Sequence, residues 1–98
     1  MLKVGILGMG GMGWHHARRY ARLPNASIVA IADIVPERLE AKEAVAINLA
    51  GGERAFDFSE VARYPEAGQL IAEADVDVVD ICLPTYLHAP YAIRALEA

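Results

Sequence analysis

Short apolar runs alternate along this chain with stretches in which small or apolar residues return every three or four positions. Lys3–Leu7 (KVGIL) is an apolar run that leads into glycine, as a strand buried on both faces would. Met12–Leu23 then takes helical spacing. Gly13, Ala17 and Ala21 recur at i, i+4 and i+8 and predict a small-residue ridge lying close on a sheet. Met12, His16, Tyr20 and Leu23 flank that ridge, Arg18, Arg19 and Arg22 face outward, and Pro24-Asn25 ends the helix.

Ser27–Ala32 (SIVAIA) predicts a second strand, ending at Asp33. Pro36 presets a helix start, and the helix is expected over Glu37–Asn48 until Gly51-Gly52. Glu53–Phe58 holds a short third strand around Ala55-Phe56, Ser59–Tyr64 reads as a broken helical turn, and Pro65 to Glu73 as a second helical piece. Val76–Leu83 (VDVVDICL) is the fourth strand, closed by Pro84. The last helix starts no earlier than about Tyr86, because Pro90 must lie in its first turn, and it runs to Ala98.

This β-α alternation predicts a doubly wound α/β fold: a parallel sheet with right-handed crossovers, strand order 3-2-1-4, and a ligand crevice between strands 1 and 4. No fifth strand follows the last helix, so residues 1–98 read as one partial domain, with apolar surface left exposed near Ile81, Leu83 and Ile93 and with self-association into a homo-oligomer, or marginal stability, expected.

Composition narrows the function. Nine basic against thirteen acidic side chains give a formal charge of −4, which argues against nonspecific nucleic-acid binding. No run approaches the roughly 18 apolar residues that a membrane span needs. A single cysteine, Cys82, excludes an internal disulfide and a paired-cysteine metal or redox motif, and suits a reducing cytoplasm.

The chemistry concentrates at Gly8-Met9-Gly10-Gly11-Met12-Gly13, which fits G-x-G-x-x-G between a predicted strand and a predicted helix. Gly8 would make the tight turn, Gly10 would admit a pyrophosphate to the backbone, and Gly13 would let helix and strand pack closely. Backbone amides, among them those of Gly11 and Met12, and the positive end of the helix dipole would then meet the phosphates. Asp33 stands twenty residues after Gly13, at the end of the next strand, where a carboxylate would accept from ribose hydroxyls. Its charge would repel a 2′-phosphate, so NAD is favoured over NADP, although Arg38 one turn on would soften that repulsion. Ile34 borders the same site. The competing reading of Asp33 is a plain helix-capping carboxylate. A P-loop would need Lys-Ser or Lys-Thr after the last glycine, where this chain has Trp14-His15.

Other candidates carry less. His15-His16 lacks a ligand partner at helical spacing, so no metal site is expected there. Leu83-Pro84-Thr85-Tyr86-Leu87-His88 follows the fourth strand and should border the nicotinamide end of the crevice. Thr85 is a ligand contact or a turn starter, and His88 lines the rim or caps the helix. Asp80, mid-strand between apolar neighbours, must have an open face or a partner.

With these residues in view, the chain resembles the N-terminal domain of the glucose–fructose oxidoreductase and inositol dehydrogenase (Gfo/Idh/MocA) family. The resemblance rests on Gly8-x-Gly10-x-x-Gly13-x-x-His16, Ala32-Asp33 with Pro36-Glu37-Arg38, Asp75-Val76-Asp77-Val78-Val79, and Leu83-Pro84-Thr85-x-x-His88. It implies hydride transfer between a nicotinamide cofactor and a sugar, cyclitol or polyol-like small molecule. It also implies that Asp33 reads the ribose and that Leu83 through His88 serve the nicotinamide side. The family's catalytic lysine and acid/base residues belong to later segments, so no catalytic residue is expected within residues 1–98. The alternative is a non-catalytic dinucleotide-binding or sensing module built on the same turn.

Overall fold

The computed structural model describes residues 1–39 and 60–98, together with the backbone of residues 44–49 and 52–57. In chain order the elements are β1 (Leu2–Leu7), α1 (Gly11–Tyr20), β2 (Ala26–Ala32), α2 (Pro36–Leu39), β3 (Ala44–Leu49), β4 (Gly52–Asp57), β5 (Ala62–Tyr64), α3 (Ala67–Glu73), β6 (Val78–Ile81) and α4 (His88–Glu97). A 3-10 turn, Thr85–Leu87, leads into α4. Strands β5-β2-β1-β6 form one parallel sheet, which is the 3-2-1-4 order.

Three expectations between residues 37 and 64 are corrected. Where one helix was expected over Glu37–Asn48, a helix is described over Pro36–Leu39, and Ala44–Leu49 is instead a strand paired antiparallel with Gly52–Asp57; residues 40–43 lie outside the described residues. Val45, Ile47 and Leu49 alternate with Ala44, Ala46 and Asn48, a period of two that the alanine-rich composition had disguised as helix. The strand around Ala55-Phe56 exists, but it belongs to this hairpin. The parallel sheet takes its third strand from Ala62–Tyr64, where a broken helical turn was expected, with Ala30 opposite Ala62 and Ala32 opposite Tyr64.

β1 is the centre of the sheet and is covered on both faces. Val4 and Ile6 pack with Met9, Ala17, Ile28 and Ile31 under α1, while Leu7 packs with Ala30, Ala32, Ala67 and Leu70 under α3. Ile6, Leu7, Met9 and Leu70 are completely buried, each contributing roughly 1.5–3 kcal/mol before conformational costs. The predicted ridge is confirmed: Gly13, Ala17 and Ala21 are buried, and Arg18, Arg19 and Arg22 are exposed. Apolar surface does remain. Ile93 and Leu96 are exposed, Ile81 and Leu83 are half-buried, and a groove of about 740 Å³ runs between β6, α3 and α4 past Ile71, Val79 and Leu96. Among the described residues, no helix is long and apolar enough to cross a membrane.

Candidate functional site

The turn after β1 is built from close backbone contacts. Gly8 has φ +93°, and a Cβ there would lie 2.8 Å from the Cys82 carbonyl oxygen. A Cβ on Gly13 would overlap the Gly8 carbonyl oxygen, so α1 can start this near to β1 only with glycine at that position. The Gly8 amide donates to the Ala32 carbonyl at 2.8 Å, which continues the β1–β2 ladder into the turn. Gly10 enters α1 in extended conformation, with no side-chain cap and no acidic residue in the first helical turn. The positive end of α1 therefore carries no anion of the chain's own.

Asp33 has a role that the sequence reading did not foresee. Its carboxylate is buried; Oδ2 accepts from the Met9 amide at 2.7 Å and Oδ1 from the Val35 amide at 2.8 Å. The second bond is the local turn that an Asp at a strand end favours. The first links neighbouring strand ends and holds the glycine turn after β1 against the end of β2. Arg38 Nη1 lies 3.7 Å from the same Oδ2 and is half-exposed.

These features open on one cleft of about 480 Å³. Of the residues singled out from the sequence, Gly8, Gly10, Gly11, Met12, Asp33, Ile34, Arg38, Leu83 and Pro84 line it. Gly13 lies beneath the turn as a packing residue, and Thr85 and His88 are outside the lining. Thr85 begins the 3-10 turn, and the His88 Nε2 meets the Leu83 carbonyl at 2.6 Å, so this histidine closes the loop on itself. The lining also includes Tyr86 and Leu87 from the loop expected to border the crevice, and Ala32, Val35, Ala67, Cys82 and Tyr91, which sequence reasoning did not place there. Ala32, Val35 and Cys82 adjoin flagged residues, whereas Ala67 on α3 and Tyr91 on α4 lacked a local signal. The apolar groove beside α4 is larger, but it brings together no glycine turn and no uncapped helix start.

Asp80 finds its partners on α1. Its Oδ2 lies 2.6 Å from His16 Nδ1 and accepts from the Tyr20 hydroxyl at 2.8 Å, while the Cys82 thiol reaches Oδ1 at 3.5 Å. Burial first, then the hydrogen bond to Asp80, pushes the Tyr20 hydroxyl up to about 12. Burial and the Asp80 charge push the Cys82 thiol up to about 12 as well. Cys82 Sγ also approaches His16 Nδ1, at 3.3 Å, so thiol and carboxylate address the same ring nitrogen. A nucleophile–imidazole–carboxylate relay needs opposite ring nitrogens, and it needs a thiol that ionises readily. Three such ligand types invite comparison with a metal centre. However, 2.6 Å between nitrogen and oxygen is a hydrogen-bond length, shorter than the edge of about 3.3 Å implied by tetrahedral bonds of about 2 Å. The cluster is a hydrogen-bonded hub.

A parallel sheet of this order, a glycine turn feeding an uncapped helix, and an acidic residue ending the second strand define a Rossmann nucleotide-binding domain. Residues 2–98 match the Gfo/Idh/MocA oxidoreductase family with its NAD-binding Rossmann fold, and the chain belongs to that family. Levoglucosan dehydrogenase of Pseudarthrobacter phenanthrenivorans is 37% identical, covering 99% of this chain and 24% of its own length. A glycosyl hydrolase family 109 protein of Porphyromonas gingivalis is 29% identical, covering 98% and 20% respectively. Among solved structures, scyllo-inositol dehydrogenase of Lactobacillus casei with bound NAD(H) and scyllo-inositol superposes with a TM-score of 0.79 at 25% identity, over 99% of this chain and 25% of that one. The chain thus spans about a quarter of the length of such relatives.

Proposed function

We propose that this chain binds NAD in the cleft between the glycine turn and the Leu83–Leu87 loop, as the cofactor domain of a sugar, cyclitol or polyol dehydrogenase. The observation that carries the reading is the convergence on one cleft of the Gly8–Gly13 turn, the uncapped start of α1 and the buried Asp33 carboxylate. The pyrophosphate would take the amides at the start of α1. The adenosine ribose would lie at Asp33, whose oxygens keep acceptor capacity beyond the Met9 and Val35 bonds. The nicotinamide would lie toward Leu83, Pro84 and Tyr86. NAD, when bound, supplies the hydride chemistry; these residues orient it and exclude water. NADH is preferred to NADPH because the Asp33 charge opposes a 2′-phosphate.

By itself the 98-residue chain binds cofactor without turning substrate over. Among the described residues lining the cleft, the carboxylate is committed to two backbone amides and no imidazole is present. A binding or sensing module fits that same observation. The test has two arms: NAD reduction assayed with a panel of polyols and anhydrosugars, by this chain and by any longer product of its gene. Turnover by the longer product alone supports the dehydrogenase reading; turnover by the chain alone overturns the division of labour. Cofactor binding with no turnover by either favours the module.

A further inference from the structure

We infer that Asp80 is a positioning residue for the dinucleotide: acting through His16 and Tyr20, it sets the distance between the two walls of the cleft. The inference rests on the cofactor reading above and adds a part that the glycine turn does not supply. One wall is the start of α1, which belongs to the same rigid helix as His16 and Tyr20. The other is the segment from Cys82 to Leu87, which leaves the end of β6 two residues after Asp80. β6 is an edge strand whose one strand partner among the described residues is β1, through Val4–Leu7 opposite Val78–Ile81 and two flanking bonds, from the Asp77 amide to the Lys3 carbonyl and from the Cys82 amide to the Leu7 carbonyl.

An apolar side chain at position 80 would pack against α1 equally well but would fix no distance. A carboxylate there is costly unless its oxygens are satisfied. Here they are satisfied by donors on α1 and by Cys82, which itself lines the cleft. Hydrogen bonds to a charged group are short and directional, so the pair locks α1 to β6 at one separation. Gly8 has no room to absorb a shift, because it already lies against the Cys82 carbonyl.

A ligand that touches one wall should ignore this lock, and one that spans both should need it. NADH spans both, whereas AMP reaches only the Asp33 side and the turn. The experiment titrates the folded chain with NADH and with AMP, in the native sequence, in Asp80→Asn and in the milder Tyr20→Phe. Circular dichroism confirms that each variant is folded. The expected result is NADH binding weakened roughly five- to tenfold in Asp80→Asn, with AMP changed less than about twofold, and a smaller split of the same sense in Tyr20→Phe. Equal loss of both ligands, or no change in either, overturns the inference while leaving the cofactor reading intact. Failure of the native chain to bind either ligand overturns the cofactor reading and this inference with it.

Discussion

The Asp33 carboxylate accepts the Met9 backbone amide at 2.7 Å, and this bond ties the end of β2 to the glycine turn that follows β1. The residue expected to meet the ribose is thus also a brace for the turn proposed to meet the phosphates. On the proposed function, cofactor affinity and local stability are coupled through one buried side chain, and substitutions there should affect both.

Asp33→Ala should therefore destabilise the fold. It leaves the Met9 amide buried without an acceptor, at a cost of about 1–3 kcal/mol. Asp33→Asn keeps an acceptor oxygen and should lose less. Urea unfolding of the two variants measures the difference; equal stability of Asp33→Ala and the native chain would show that the brace contributes nothing.

Glycine should be replaceable at Gly10 and Gly11 of the turn and irreplaceable at Gly8 and Gly13. Gly8→Ala meets both a positive φ and the Cys82 carbonyl, and Gly13→Ala meets the Gly8 carbonyl. Each should cost on the order of 2 kcal/mol or more. At Gly10 the nearest neighbour of an added Cβ is the flexible Arg38 guanidinium, 3.9 Å away, so a side chain fits there without strain. Melting temperatures should separate the pair from Gly10→Ala.

The Cys82 thiol and the Tyr20 hydroxyl, each pushed up to about 12 in the folded chain, should make it alkali-sensitive. Both groups ionise more readily when unfolded, from ordinary values of 9.0 and 10.0. Their contribution to stability is complete below about pH 9 and is lost as pH rises toward 12. Iodoacetamide at pH 8.5 should accordingly label Cys82 slowly in the native chain and fast in urea. Rapid labelling without denaturant would contradict the hub described around Asp80.

Arg38, half-exposed, is among the described residues the cation that faces Asp33, 3.7 Å from its Oδ2, and so would stand near a 2′-phosphate on the ribose proposed to lie there. Arg38→Ala should weaken NADPH more than NADH, by roughly three- to tenfold in the ratio of their dissociation constants. An unchanged ratio would remove Arg38 from cofactor selection.

The sheet order, the glycine turn and most of the cleft were legible because their signals are local: β-branched runs, glycine spacing, and a carboxylate at a strand end. The segment after Leu39 was not, since an alanine-rich stretch carries helical propensity and two-residue alternation together and only pairing with a partner strand decides between them. Ala62–Tyr64, three residues long, is too short to display a period and is a strand because Ala30–Ala32 offer it an edge. Asp80 announced a partner without naming it. His16 and Tyr20 lie more than fifty positions away in sequence, and only the packing of α1 on β6 brings them within reach.

The measurement that tests the central claim most directly is a calorimetric titration of NADH into the native chain and into Gly10→Val. Gly10 lines the cleft and has space around its Cα, so the added side chain fills the place proposed for the pyrophosphate while sparing the fold. The account predicts saturable binding by the native chain, and at least roughly tenfold weaker binding by a variant whose melting temperature is nearly unchanged. Equal affinity in the two proteins, or no binding by the folded native chain, would contradict it.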